Sequence, residues 1–300
     1  MSRFISCLLV GLVLPAVTFA QTGKAVFLDW QFKEGEKFWV DTQTRVEQGQ
    51  KVGNLQGANI VVMRTITSYV VKKVTESNYV ELEAKIESTR YENNQTQDSQ
   101  KMSTLFAMLQ GATLKITMNP ERQVQKLEGY ADWLVKLGAQ IPASEVDRLR
   151  VLVPEADIRN AASEGFGFLP GKEVTLNEQW KKKCELNLAP AGLLNYNVSY
   201  KYVGNDKGKE KIVIDCKENG KFTMSPGMSA PGTQSEFTLE SRIGTIWFNN
   251  QTGKLDHAEH TYQTLGQILM PATPQSAAAV LRVSNKIQVK QTLTMKPPAK

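Results

Sequence analysis

From Tyr79 to Arg90, apolar and polar residues alternate one by one. Val80, Leu82, Ala84 and Ile86 form one row, and Tyr79, Glu81, Glu83, Lys85 and Glu87 form the other. Period two is the period of a strand, and a charged row opposite an apolar one marks an antiparallel sheet with one face in water. The pattern recurs. Lys37–Glu47 and Ile60–Val74 read as strands before it, and Thr113–Met118 and Gln123–Glu128 flank the turn-forming Asn119-Pro120-Glu121-Arg122 as a hairpin. In Val26–Val40, Lys33-Glu34-Gly35-Glu36 reads as a strand connection in which Gly35 supplies positive φ. The polar residues 92–103 read as a mobile connection, and Met102–Leu109 as a short helix.

The period changes once. Between residues 129 and 165, Ala131, Leu134, Val135 and Leu137 fit an amphipathic helix ended by Gly138. Ser144 opens a second helix and Pro154 a third. After Pro170-Gly171 the alternation returns. Trp180, Lys182, Cys184 and Leu186 form one row, and Tyr196, Val198, Tyr200 and Tyr202 the next. Further strands are expected at Lys209–Lys217, Phe237–Phe248, Lys254–Leu265 and Arg282–Met295, with a loop at 225–234. The expected class is mainly β (α+β): two tandem antiparallel sheet units, 21–128 and 166–300, joined by a helical connection or lid at 129–165. The units echo each other. Gly35–Trp39 answers to Asn177–Trp180, and Leu114–Asn119 to Gly244–Asn249, at offsets of 142 and 130 residues. A duplicated unit with one indel gives such echoes, and so does chance alignment of β-rich sequence.

The ends and the charge narrow the setting. Arg3, the uncharged apolar run Phe4–Val17 and the small residues Thr18 and Ala20 have the layout of a secretory signal peptide over 1–20. Cys7 has too little apolar sequence before it for lipoprotein processing. An exported, periplasmic or extracellular chain is therefore expected, with no membrane span once the signal is removed. Without Arg3, 35 basic residues face 30 acidic ones, a formal charge of +5. These charges are interspersed, even around Lys181-Lys182-Lys183, which argues against a nucleic-acid partner. Cys184 and Cys216 fall on the first and third strands of an expected meander. That spacing favours two buried free thiols, whereas a disulfide would require a different strand order.

Phe32-Lys33-Glu34-Gly35-Glu36-Lys37-Phe38, Val174–Trp180 and Ile243-Gly244-Thr245-Ile246-Trp247-Phe248 resemble an uncharacterised family of signal-bearing, β-rich bacterial proteins, of planctomycete type, known as a domain of unknown function. The resemblance implies export and architecture. It carries no catalytic or ligand residues, and Asn177 stands where the family has glycine.

Chemistry is sparse. The two histidines, His257 and His260, lie three apart on an expected strand and so on opposite faces, which disfavours a metal site. No G-x-S-x-G elbow, phosphate loop or cofactor motif occurs, and neither catalytic nor metal residues nor a cofactor are assigned. Aromatics remain: Trp39, Trp180, Tyr200 and Trp247 are the candidate ligand contacts, on sheets that a helical lid would cover. The expected function is a noncatalytic envelope binding protein for an apolar small molecule or a protein partner. The rival is a secreted hydrolase using scattered carboxylates such as Glu81 and Glu83.

Overall fold

A computed structural model describes residues 24–94, 96–188, 191–216, 220–224, 234–272 and 278–299. The signal-like segment 1–20 and nearly all of the 225–234 loop lie outside them. The chain forms β1 (Val26–Leu28), β2 (Lys37–Val52), β3 (Leu55–Val74), β4 (Val80–Asn93), α1 (Thr96–Ala107), β5 (Thr113–Met118) and β6 (Val124–Glu128). Three helices follow: α2 (Tyr130–Gly138), α3 (Ala143–Leu152) and α4 (Glu155–Gly167). The second half holds β7 (Lys172–Val174), β8 (Gln179–Asn187), β9 (Gly192–Asp206), β10 (Lys209–Cys216), β11 (Lys221–Met224), β12 (Gln234–Asn249), β13 (Lys254–Met270) and β14 (Ala279–Thr294). Among the described residues no helix is long and apolar enough to cross a membrane.

The mainly β, α+β class holds, with every described strand pair antiparallel. Whether the two units share one sheet, which the sequence leaves open, is answered by the pairing: they do. Each contributes a five-stranded meander, β2-β3-β4-β5-β6 and β8-β9-β10-β12-β13, and β14 pairs β13 on one side and β2 on the other. With β11, which pairs β9 beyond the end of β10, one twelve-stranded sheet results. β14 pairs with β2 from Leu281↔Val52 to Thr294↔Trp39, so the last strand welds the second unit to the first. β3, at 20 residues, extends for about 65 Å.

The echo between units is structural as well. Gly35 (φ 79°) and Asn177 (φ 69°) are both left-handed and open β2 and β8. Gly35 donates to Val71 O at 2.8 Å and Val71 returns a bond to Glu36 O. Asn177 donates to Tyr202 O at 2.8 Å and Tyr202 returns one to Glu178 O. In each turn the glutamate side chain accepts from the amide three residues back, Lys33 or Thr175. Asn tolerates positive φ nearly as well as Gly, which explains the exchange. β1 does not form a hairpin with β2. It pairs instead with β7, through Val26↔Val174 and Leu28↔Lys172.

The residues between β1 and β2 are held by both units. Buried Arg122, on the β5–β6 turn, donates to Asp29 Oδ2 (3.0 Å) and stands over the Phe32 ring. Buried Lys254, after the β12–β13 turn, binds Gln31 O and Glu36 and stands over the same ring.

The inner rows of both units meet in one apolar core. α1 is a correction to the expected mobile connection. The helix starts at Thr96 because Leu105 is buried and Phe106 stacks on Tyr91 of β4, so packing overrides a polar composition. The cysteines are buried and free, as a β8-β9-β10 meander requires, and the Cys216 thiol donates to Asn197 O.

Helix α4 closes the sheet. Its Ser163 hydroxyl accepts from Val124 N and its Arg159 donates to Gln125 O, so both bonds go to the backbone of edge strand β6. Its Asn160 donates to Glu185, and its Asp157 accepts from Asn187, both on β8. Tyr200 pairs with Trp180 of β8 and with Ile214 of β10, which places β8 at the opposite edge. One helix, about 10–12 Å across, therefore spans the gap between the two edges.

Candidate functional site

Where the inner face of the sheet meets α2 and α4, side chains leave a two-lobed cavity. The first lobe, about 310 Å³, is floored by alternate residues of β2 to β5, among them Val40, Tyr69, Ile86 and Leu114. It is roofed by Trp133 of α2 and by Ile158, Ala162 and Phe166 of α4. Small residues at Ala161, Ala162 and Gly165 keep the roof away from the floor. Thr42 and Thr65, paired across β2 and β3, add a narrow polar stripe.

The second lobe, about 230 Å³, lies under the other unit. Thr42, Ala161, Gly165, Leu255 and Gln291 line both lobes, so the two adjoin. Its character differs. Arg242, with 2% of its surface exposed, projects inward from β12 in a row otherwise made of Gly244, Ile246 and Phe248. Its Nη1 donates to Tyr196 Oη (3.0 Å), its Nη2 pairs with Glu164 of α4, and the same nitrogen lies 3.4 Å from His260 Nε2. Tyr262 carries its ring 5.8 Å from the guanidinium.

Electrostatics fix the protonation of this cluster. Burial opposes ionisation of Glu164, but the guanidinium outweighs it and holds the carboxyl below its ordinary range. Burial, reinforced by Arg242, drives the His260 pKa down to about 3, so the imidazole is neutral. The lobe therefore contains one internally neutral ion pair, a neutral histidine and Glu185, which accepts from Asn160. Burial also raises the Cys184 thiol to about 12, far from a reactive thiolate.

The four aromatics expected at the site are divided between the faces of the sheet. Tyr200 lines the second lobe, and Trp180 stacks on it at 5.9 Å while donating to Phe168 O. Trp39 lies opposite buried Phe38, on the outer face, under the Lys37 ammonium. Trp247, also on the outer face, stacks on His257 at 4.1 Å and donates to Asp206. His257 and His260 point to opposite faces, and the described residues hold no cluster of three or more His, Cys, Asp or Glu side chains placed for a metal ion. Arg242, Glu164 and His260 are the residues that the alternation reading missed. The signal was present in β12: a single charge set in an inward, apolar row.

A family model described as a family of unknown function (DUF6263) matches residues 67–255, more than half of the chain. The chain belongs to the DUF6263 family. The match agrees with the unknown-function family that the short motifs resemble, and it includes Val174–Trp180 and Ile243–Phe248 but not Phe32–Phe38. Arg242, Glu164 and most of the cavity floor of this DUF6263 chain fall inside the matched range. No curated protein matches the chain by sequence. Among solved structures, a lipovitellin studied for its lipid–protein interactions matches at 10% identity and TM-score 0.40, covering 90% of this chain and 26% of that one. DynF of Micromonospora chersina matches at 9% identity and TM-score 0.22, covering 89% and 86%. The outer membrane protein OprG of Pseudomonas aeruginosa matches at 7% and 0.21, covering 89% and 99%. The chain spans about a quarter of the lipovitellin chain, and at these scores the likenesses carry no argument about activity.

Proposed function

We propose that the chain is an exported, noncatalytic binding protein of the cell envelope that holds an apolar small molecule between sheet and helices. The carrying observation is the first lobe: about 310 Å³ of space, walled mainly by aliphatic and aromatic side chains. Export is supported by the layout of residues 1–20. The carboxylate rival gains no support from this site: of its two acids, Glu164 is engaged by Arg242 and Glu185 accepts from Asn160 of α4.

Gly165 offers the test. It lines both lobes, and a Cβ built there meets nothing within 4 Å, so Gly165→Leu fills space where the lobes adjoin while improving helix propensity. Purified full-length protein should bind N-phenyl-1-naphthylamine saturably, and the leucine variant should lose that binding with its thermal midpoint retained. Non-saturable binding, or saturable binding unchanged in the variant, would count against the cavity as the site. Solvent extraction and mass spectrometry of the native protein would then name the occupant.

A further inference from the structure

We propose that the second lobe receives the head of the same ligand, and that this head is an uncharged carbonyl, as in a long-chain ester or ketone, accepting a hydrogen bond from Arg242. The proposal rests on the apolar-cavity reading above and adds the chemistry at its polar end.

Two observations carry it. The first is a donor without an acceptor. Arg242 lines the lobe and is almost wholly buried, and its Nε is a buried nitrogen with no hydrogen-bond partner. A buried N–H left unpaired costs free energy, more so on a charged group, and an acceptor oxygen delivered by a ligand removes that cost. The second is charge balance. Glu164 already neutralises the guanidinium, and the other facing groups, His260, Tyr196, Tyr200, Tyr262, the Cys184 thiol and the Glu185 carboxylate, bring no second cation. A carboxylate or phosphate head would stand beside Glu164 in a desolvated pocket, where like charges repel strongly. An uncharged acceptor meets the unpaired donor without that penalty. Because the lobes share lining residues, a chain extending from the head past Gly165, which carries no side chain, points toward the apolar lobe.

The test is a matched series on delipidated full-length protein: hexadecane, methyl palmitate, hexadecan-2-one and palmitate, each titrated as a displacer of N-phenyl-1-naphthylamine at pH 7.5. The ester and the ketone should displace about tenfold or more better than the hydrocarbon, and the carboxylate should be the weaker of the headed ligands. In the paired variant Glu164→Gln/Arg242→Met, which leaves no charge uncompensated, the ester's advantage over hexadecane should vanish while hexadecane itself still displaces. Equal displacement by ester and hydrocarbon in the wild type, or a preference for palmitate, overturns the carbonyl assignment and leaves the apolar cavity standing. Displacement by none of the four overturns both. Should the paired variant fail to fold, the wild-type ranking decides alone.

Discussion

At Arg122 a guanidinium with 3% of its side-chain surface exposed joins Asp29 to the backbone of Asn78. Removing one member of such a buried pair strands the other, so Arg122→Met should lower stability by about 3 kcal/mol, seen as a lower urea midpoint at unchanged slope. Asn177 is a gentler case. Its left-handed φ of 69° suits Asn or Gly, so Asn177→Gly should leave stability within about 0.5 kcal/mol, and Asn177→Val should cost about 1–2 kcal/mol. The turn at Asn177 was legible because its residue type states its backbone. Arg242 was not, because a charge inside a strand discloses its role only once the opposite wall and its glutamate are in place. His260 gives a pH signature. The unfolded chain takes up a proton near pH 6.5 and the folded one only near 3, so stability falls as pH drops through that window. Glu164, with its depressed pKa, adds a second loss once pH falls below the ordinary carboxylate range. The urea midpoint should decline from pH 7 to pH 5, and His260→Gln should shrink that decline.

Among the elements, strands were read well where one row stays apolar, as in β4 and β9, and underestimated where the pattern loosens. β2 and β3 run on to Val52 and back from Leu55 because each backbone pairs with its neighbour beyond the covered core. Only the second half of α1 was legible, in Met102–Leu109, because packing, not propensity, makes the polar start helical. α2 to α4 occupy the segment where the period changes, and Pro154, just before the first residue of α4, marks its start as a proline at a helix entry does. What the pattern did not disclose is that α4 binds two sheet edges at once. Its polar side chains, not its apolar ones, make that junction. Replacing Asp157 and Asn160 together by alanine should release the β8 side while leaving the core intact. The expected readout is faster amide exchange in β8 and stronger binding of a hydrophobic dye, with far-UV circular dichroism unchanged.

Across the whole molecule, the two meanders depend on β14. Without residues 279–300, β13 and β2 would each become a long bare edge, so that truncation should yield soluble aggregates on size-exclusion chromatography where the intact chain elutes as one species. The echo between the units was legible at Gly35 and Asn177. Their union in one sheet was not, since it depends on pairing such as Val52 with Leu281, and alternation shows which rows face inward but not which strands adjoin. That pairing also has a consequence in time. A ribosome makes β2 long before β14, so the strand finds its second neighbour only after the whole second meander has been made. The segment ahead of β2 likewise waits for Lys254 and β7 before it is gripped from both sides. Contacts so far apart in sequence make for slow closure. Until β14 is made, the growing first meander thus carries the long strand β2 as an open edge, so it must be shielded from pairing with other chains.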